Sequence, residues 1–250
     1  MKEDDVEAEK WFRKAAEHGG AWAQYELGKM YIRGDMVPQN DSEAVKWYRK
    51  AAEQGIAGAQ VDLGLMYRNG QGVKQDDVEA AKWYRKMAEL GDADAQVNLG
   101  LMYQKGEGVK QDYFEAVKWF KKAAEQGKAD AQVNVGLMYR NGQGVKQDDA
   151  EAAKWFRKAA AQGEADAQVN LGWMYQKGEG VVRDDFEAVE WFKKAAEQGN
   201  GKALGALGFA YLNGEVVKQD RLKAKEYFGK SCEAKNPVGC DLYRRLNSEK

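Results

Sequence analysis

Protein chemistry begins with nucleophiles, imidazoles and metal ligands, and this chain has few of them. It holds one histidine (His18), no threonine, three serines (Ser42, Ser231 and Ser248) and two cysteines (Cys232 and Cys240). Most covalent catalysis draws on a hydroxyl or thiol activated by a neighbouring base, and most zinc sites on clustered cysteine and histidine. Cys232-x7-Cys240 has no histidine nearby and is not a zinc pattern. The pairs Asp76-Asp77, Asp148-Asp149 and Asp184-Asp185 lack the spaced D-x-D-x-D-G ligands of a calcium loop and read as helix caps. The N-G-Q-G and K-G-E-G loops lack the Gly-Lys-Ser/Thr of a phosphate cradle. His18 ends a helical pattern, where a cation is mildly favourable. Carboxylates and amines are plentiful, but an enzyme needs converging groups with tuned pKa values. The expectation is therefore no catalytic residue, no cofactor, no metal and no enzymatic activity.

The elements that position these residues repeat. Trp11, Trp47, Trp83, Trp119, Trp155 and Trp191 each fall 36 residues after the last, and Tyr227 takes the seventh place. A fixed period of this size is the signature of a solenoid, which counts as one domain of stacked units. The predicted layout is a partial unit at 1–20 and six units at 21–56, 57–92, 93–128, 129–164, 165–200 and 201–236, followed by a capping helix at 237–250. Positive and negative charges nearly cancel at -1, which argues against nucleic acid as a partner. No apolar run reaches the roughly 18 residues of a membrane span, so no membrane insertion is expected. Met1 to Asp5 lacks the apolar stretch of a signal peptide. The chain opens partway through a unit, which reads as a trimmed or mature form, so the missing leader says little about compartment.

Each unit splits into two helical patterns. In 57–69, Ala59, Leu63, Met66 and Tyr67 form one apolar stripe at the 3.6 period, helix A. Gly64 sits mid-helix at a cost of about 1 kcal/mol against alanine. It recurs as Gly28, Gly100, Gly136, Gly172 and Gly208, which predicts a helix contact too close for a side chain. Gly70 supplies the left-handed C-cap. Asp76 with Glu79 reads as a capping-box-like start for helix B over 77–90, and the pair lapses at Asp220, where Lys223 replaces the glutamate. Ala80, Ala81, Trp83, Tyr84, Met87 and Ala88 make its core face. Pro237 opens the capping helix, which Arg244 and Arg245 suit to water. Trp11 and Phe12 have no preceding helix A, which marks truncation or a site for a partner.

The units A-x-x-x-L-G-x-x-Y-x-x-G-x-G and D-x-x-E-A-x-x-W-[YF]-x-K-A-A-x-x-G resemble Sel1-like repeats, relatives of the tetratricopeptide repeat. The resemblance covers nearly the whole chain. It implies an all-α fold, a right-handed α/α superhelix of 36-residue helix-turn-helix repeats. It also implies a non-enzymatic scaffold or adaptor that binds a peptide segment or folded protein in the concave groove lined by helix A, often in exported bacterial proteins. On that face lie Asp62, Leu65, Asn98, Leu101, Lys105, Asn134, Leu137, Arg140, Asn170, Trp173, Lys177 and Phe209. Asn98, Asn134 and Asn170 form a ladder of amides able to donate to and accept from a peptide backbone. Leu101, Leu137, Trp173 and Phe209 add apolar contacts of the kind a recognition surface offers.

Cys232-x7-Cys240 matches once the spacing of the Helicobacter cysteine-rich branch. Two helices of a short hairpin face each other, so a disulfide is geometrically reasonable, the alternative being two buried thiols. A bridge favours the periplasm or secretion over the cytoplasm. The expected assembly is a monomer, with end-to-end contact open through the uncapped first helix. Two further readings remain: a cell-envelope hydrolase, an activity attached to the cysteine-rich branch, and a consensus-like array without a natural ligand.

Overall fold

The computed structural model describes residues 3–214 and 216–248, with side chains from Glu7 onward. Among the described residues there are fourteen α-helices and no strand. They are α1 (Glu3–Glu17), α2 (Ala21–Arg33), α3 (Asp41–Glu53), α4 (Ala57–Asn69), α5 (Asp77–Glu89), α6 (Ala93–Lys105) and α7 (Tyr113–Glu125). Then come α8 (Ala129–Asn141), α9 (Asp149–Ala161), α10 (Ala165–Lys177), α11 (Asp185–Glu197), α12 (Gly201–Asn213), α13 (Arg221–Glu233) and α14 (Pro237–Ser248). Even-numbered helices up to α12 are of type A and odd-numbered helices of type B. The chain forms two compact units, Met1–Ala123 and Ala124–Lys250. In the first, α1 to α6 each pack on the next; in the second, α8 to α14 do the same.

The helices start and stop where short-range hydrogen bonding dictates. Each B helix from α3 onward opens on an Asn or Asp whose side chain accepts from backbone donors of the first turn: Asp76 Oδ1 from Val78 N and Glu79 N, both at 3.0 Å. The reciprocal half of a capping box is replaced. The Asp76 backbone N–H donates to the Tyr67 carbonyl at 2.9 Å, and Glu79 pairs instead with Lys82 one turn on. Because the cap needs only backbone donors, it survives at Asp220, which accepts from Lys223 N at 3.0 Å. The A helices end on left-handed glycines such as Gly70, φ 66°.

In each unit the core lies between A and B helices. Tyr84, Phe120, Phe156, Phe192 and Phe228 from B helices, and Leu27, Leu63, Leu99 and Leu171 from A helices, are fully buried. The mid-helix glycines let these rings in. A Cβ on Gly100 would stand 2.7 Å from the Phe120 ring, and one on Gly136 would stand 2.8 Å from Phe156. Trp47, Trp119 and Trp155 are core residues, whereas Trp11 is 63% exposed on α1.

A series of buried amides within each unit was not anticipated. Gln24, Gln60, Gln96, Gln132 and Gln168 are buried. Each amide donates to a carbonyl at the end of the preceding B helix, as Gln60 does to Ala52 at 2.6 Å. Gln54, Gln162 and Gln198 donate in turn to Gln24, Gln132 and Gln168. A buried amide left without partners costs about 1–3 kcal/mol, so these bonds fix one helix against two others.

Candidate functional site

In the first unit the anticipated face carries Asp62 and Leu65 on α4, and Asn98, Leu101 and Lys105 on α6. Asn98 Nδ2 donates to the Asp94 carbonyl one turn back, at 2.9 Å. Its Oδ1 accepts from Arg68 Nη1 at 3.0 Å. Arg68 Nη2 reaches on to Glu107 Oε2 at 3.3 Å, so one guanidinium bridges an amide on the next A helix and a carboxylate on the next loop. Lys105 pairs with the same Glu107 at 3.7 Å.

The second unit repeats the clasp. Arg140 donates to Asn170 Oδ1 at 3.0 Å and to Glu179 Oε2 at 3.5 Å, and Lys177 shares Glu179. Asn134 and Asn170 donate to Asp130 O and Asp166 O. The amide ladder therefore spends part of its capacity inside the fold. Each of its amides keeps one N–H outside the hydrogen bonds described. The apolar series is graded: Leu65 is 44% and Phe209 39% exposed, while Leu101, Leu137 and Trp173 are half-buried. Trp173 stacks edge-on against Phe192 at 4.9 Å and Phe209 against Phe228 at 5.2 Å, so both also serve the core.

Residues of α2 join this face without having been anticipated. A cavity of about 270 Å³ is lined by Tyr25, Lys29, Ile32, Arg33, Tyr48, Asp62, Leu65, Met66 and Gln71. Tyr25 donates its hydroxyl proton to Asp62 Oδ2 at 3.1 Å. Lys29 pairs with Glu26 at 2.9 Å and lies over the Tyr25 ring. Burial raises the Asp62 carboxyl above its ordinary 3.8, with Tyr25 and Lys29 opposing the rise. Burial, then Asp62, push the Tyr25 hydroxyl up to about 12. The available signal was departure from the repeat: Tyr25 stands where α4 has Val61, and Lys29 where it has Leu65.

Cys232 on α13 and Cys240 on α14 are joined in a disulfide, with Cα atoms 4.3 Å apart. His18 is exposed at the end of α1, its Nδ1 2.6 Å from the Lys14 carbonyl. Asp76, Asp148 and Asp184 are N-caps. Among the described residues no group of three His, Cys, Asp or Glu side chains is placed to hold a metal ion. No helix among them is long and apolar enough to cross a membrane.

Seven segments match the model of the Sel1 repeat: 1–20, 23–56, 57–92, 93–128, 129–164, 165–200 and 201–236. Among solved structures, a protective antigen present in uropathogenic Escherichia coli strains, displaying an SLR fold, is 41% identical at a TM-score of 0.91. That match covers 100% of this chain and 53% of the antigen, so the chain spans about half its length. A Sel1 repeat protein from Oxalobacter formigenes is 33% identical at a TM-score of 0.76, covering 92% of this chain and 97% of that one. Cysteine rich protein B of Helicobacter pylori is 28% identical over 53% of this chain and 95% of its own, at a TM-score of 0.43. No curated protein matches the chain.

Proposed function

The chain belongs to the Sel1 repeat family, and from that premise we propose that it is a non-enzymatic scaffold that holds a peptide segment or folded protein partner on the faces of its A helices. Sel1 repeat proteins are commonly protein-interaction scaffolds. One observation carries the reading to these residues. Leu65 and Phe209 occupy the same place in their repeats, and both keep more than a third of their surface in water beside half-buried neighbours. Apolar side chains standing out next to amides with a free N–H offer a partner both burial and hydrogen bonds.

The test is affinity capture with the intact chain as bait. In the first unit, Leu65→Ala with Asn98→Ala removes one contact set. In the second, Trp173→Leu with Phe209→Leu reshapes another while keeping the core apolar. A partner held on these faces loses roughly tenfold or more in affinity with at least one pair. Unchanged affinity with both pairs in folded protein rules the assignment out.

The disulfide supports residence in an oxidising compartment, the periplasm or the exterior of a bacterium. Alkylation of the denatured, unreduced protein should leave both cysteines unmodified. Two labelled thiols would point to the cytoplasm instead.

A further inference from the structure

The cavity between α2 and α4 lies at a place that holds an arginine in two other repeats, Arg68 and Arg140, a glutamine in two, Gln104 and Gln176, and a leucine in one, Leu212. At the next junction, Arg68 bridges the Asn98 amide and the Glu107 carboxylate. In the second unit, Arg140 bridges Asn170 and Glu179 in the same way. Counting 36 residues back from Arg68, Asn98 and Glu107 gives Ile32, Asp62 and Gln71. One carboxylate and one amide are again present, with their places exchanged. No guanidinium of the chain's own stands at this position to join them, because Ile32 carries no charge. All three residues line the cavity of about 270 Å³.

We propose that this cavity receives an arginine side chain of a protein partner, whose guanidinium bridges Asp62 and Gln71 as Arg68 bridges Asn98 and Glu107. The inference rests on the scaffold reading and names the chemistry that the α2 and α4 face selects. A planar guanidinium presents a fork of donors that a carboxylate and an amide oxygen can share, which a lysine ammonium matches less well. Asp62 in place of asparagine adds the charge that an external arginine needs, since the chain no longer tethers the cation itself. The carboxylate stays partly buried with a raised pKa, a cost the asparagines at 98 and 170 avoid. Two other cations face the site. Lys29 is already paired with Glu26 at 2.9 and 3.2 Å. Arg33 is exposed at the rim, in the place of Asn69 rather than Arg68.

The probe is the blocked tripeptide acetyl-Ala-Arg-Ala-amide, titrated calorimetrically at low salt into the intact chain, beside its lysine and citrulline counterparts. The arginine peptide should bind saturably with a Kd of roughly 1 mM or tighter. Lysine should weaken binding by roughly tenfold, and citrulline, which is neutral, should abolish it. Asp62→Asn, which installs the residue found at positions 98, 134 and 170, should weaken arginine binding roughly tenfold while the protein stays folded. Ile32→Arg fills the cavity from within, and should abolish binding while raising the Tm. Absence of saturable binding, equal binding of the three peptides, or indifference to Asp62→Asn overturns the proposal. So does binding lost on Arg33→Ala but kept on Asp62→Asn, which would place the peptide away from the carboxylate. If the arginine peptide fails while capture still depends on Trp173 and Phe209, this inference falls and the scaffold reading stands. If the peptide binds and capture ignores every A-helix pair, the reverse holds.

Discussion

A methyl group on Gly100 would stand 2.7 Å from the Phe120 ring, closer than carbon atoms pack. Gly to Ala within a helix ordinarily stabilises by about 1 kcal/mol. Here the added carbon must push a fully buried ring aside, at a cost of about 1–3 kcal/mol. Gly100→Ala should therefore lower the denaturation midpoint, and a raised midpoint would show that the ring can shift freely. Asp62 gives a residue-level prediction in pH. Its folded pKa is raised above the unfolded 3.8, chiefly by burial. The folded state thus binds the proton more tightly, and stability is lost as pH rises through the carboxylate range toward that raised pKa. Asp62→Asn carries no such loss. Its stability advantage should be smallest in acid, grow through that window, and level off at neutral pH. Parallel urea titrations from acid to neutral pH measure it, and a gap independent of pH would assign the effect to something other than ionisation.

At the scale of elements, α14 is a thinly packed helix held at one end. Its only fully buried residue is Gly239, and Val238 is 57% exposed. What holds it is the Cys232–Cys240 bridge, the Asn236 cap on Val238 N, and the Asn236 amide on the Gly201 carbonyl at 2.9 Å. A disulfide closing so short a loop contributes about 2 kcal/mol by chain entropy. Reduction, or Cys240→Ser, should speed amide exchange across 237–248 before any other helix responds. Equal exchange in oxidised and reduced protein would show that packing alone fixes the helix. The B helices present the opposite case. In α3, α5, α7 and α9 both ends are pinned, by an Asp or Asn cap at the start and by a buried glutamine at the finish.

For the whole molecule, the repeat makes stability a sum of neighbouring interfaces rather than one shared core. Phe156 is fully buried on α9 and fills the gap that Gly136 leaves on α8. Phe156→Ala should cost about 3–5 kcal/mol, felt mainly by the elements it touches. Exchange mass spectrometry should show lost protection in α8, α9 and α10, with α2 to α4 unchanged. A uniform loss over both compact units would mean that the array unfolds as one body.

The boundaries of α4, the glycine slots, the cap residues and the tryptophan register were all readable in the sequence. Each rests on short-range physics: a backbone donor two or three residues from its cap, an apolar stripe at the helical period, a pattern restated every 36 residues. The bonds between repeats were not readable. Arg68 meets Asn98 across 30 residues, Tyr25 meets Asp62 across 37, and Gln54 meets Gln24 across 30. No local pattern announces such pairs, because only in-register stacking brings those positions to the same height. The cavity beside Asp62 belongs to this second class. Its residues stood in plain view as departures from the repeat. That they meet around one cavity was decided by packing α2 against α4.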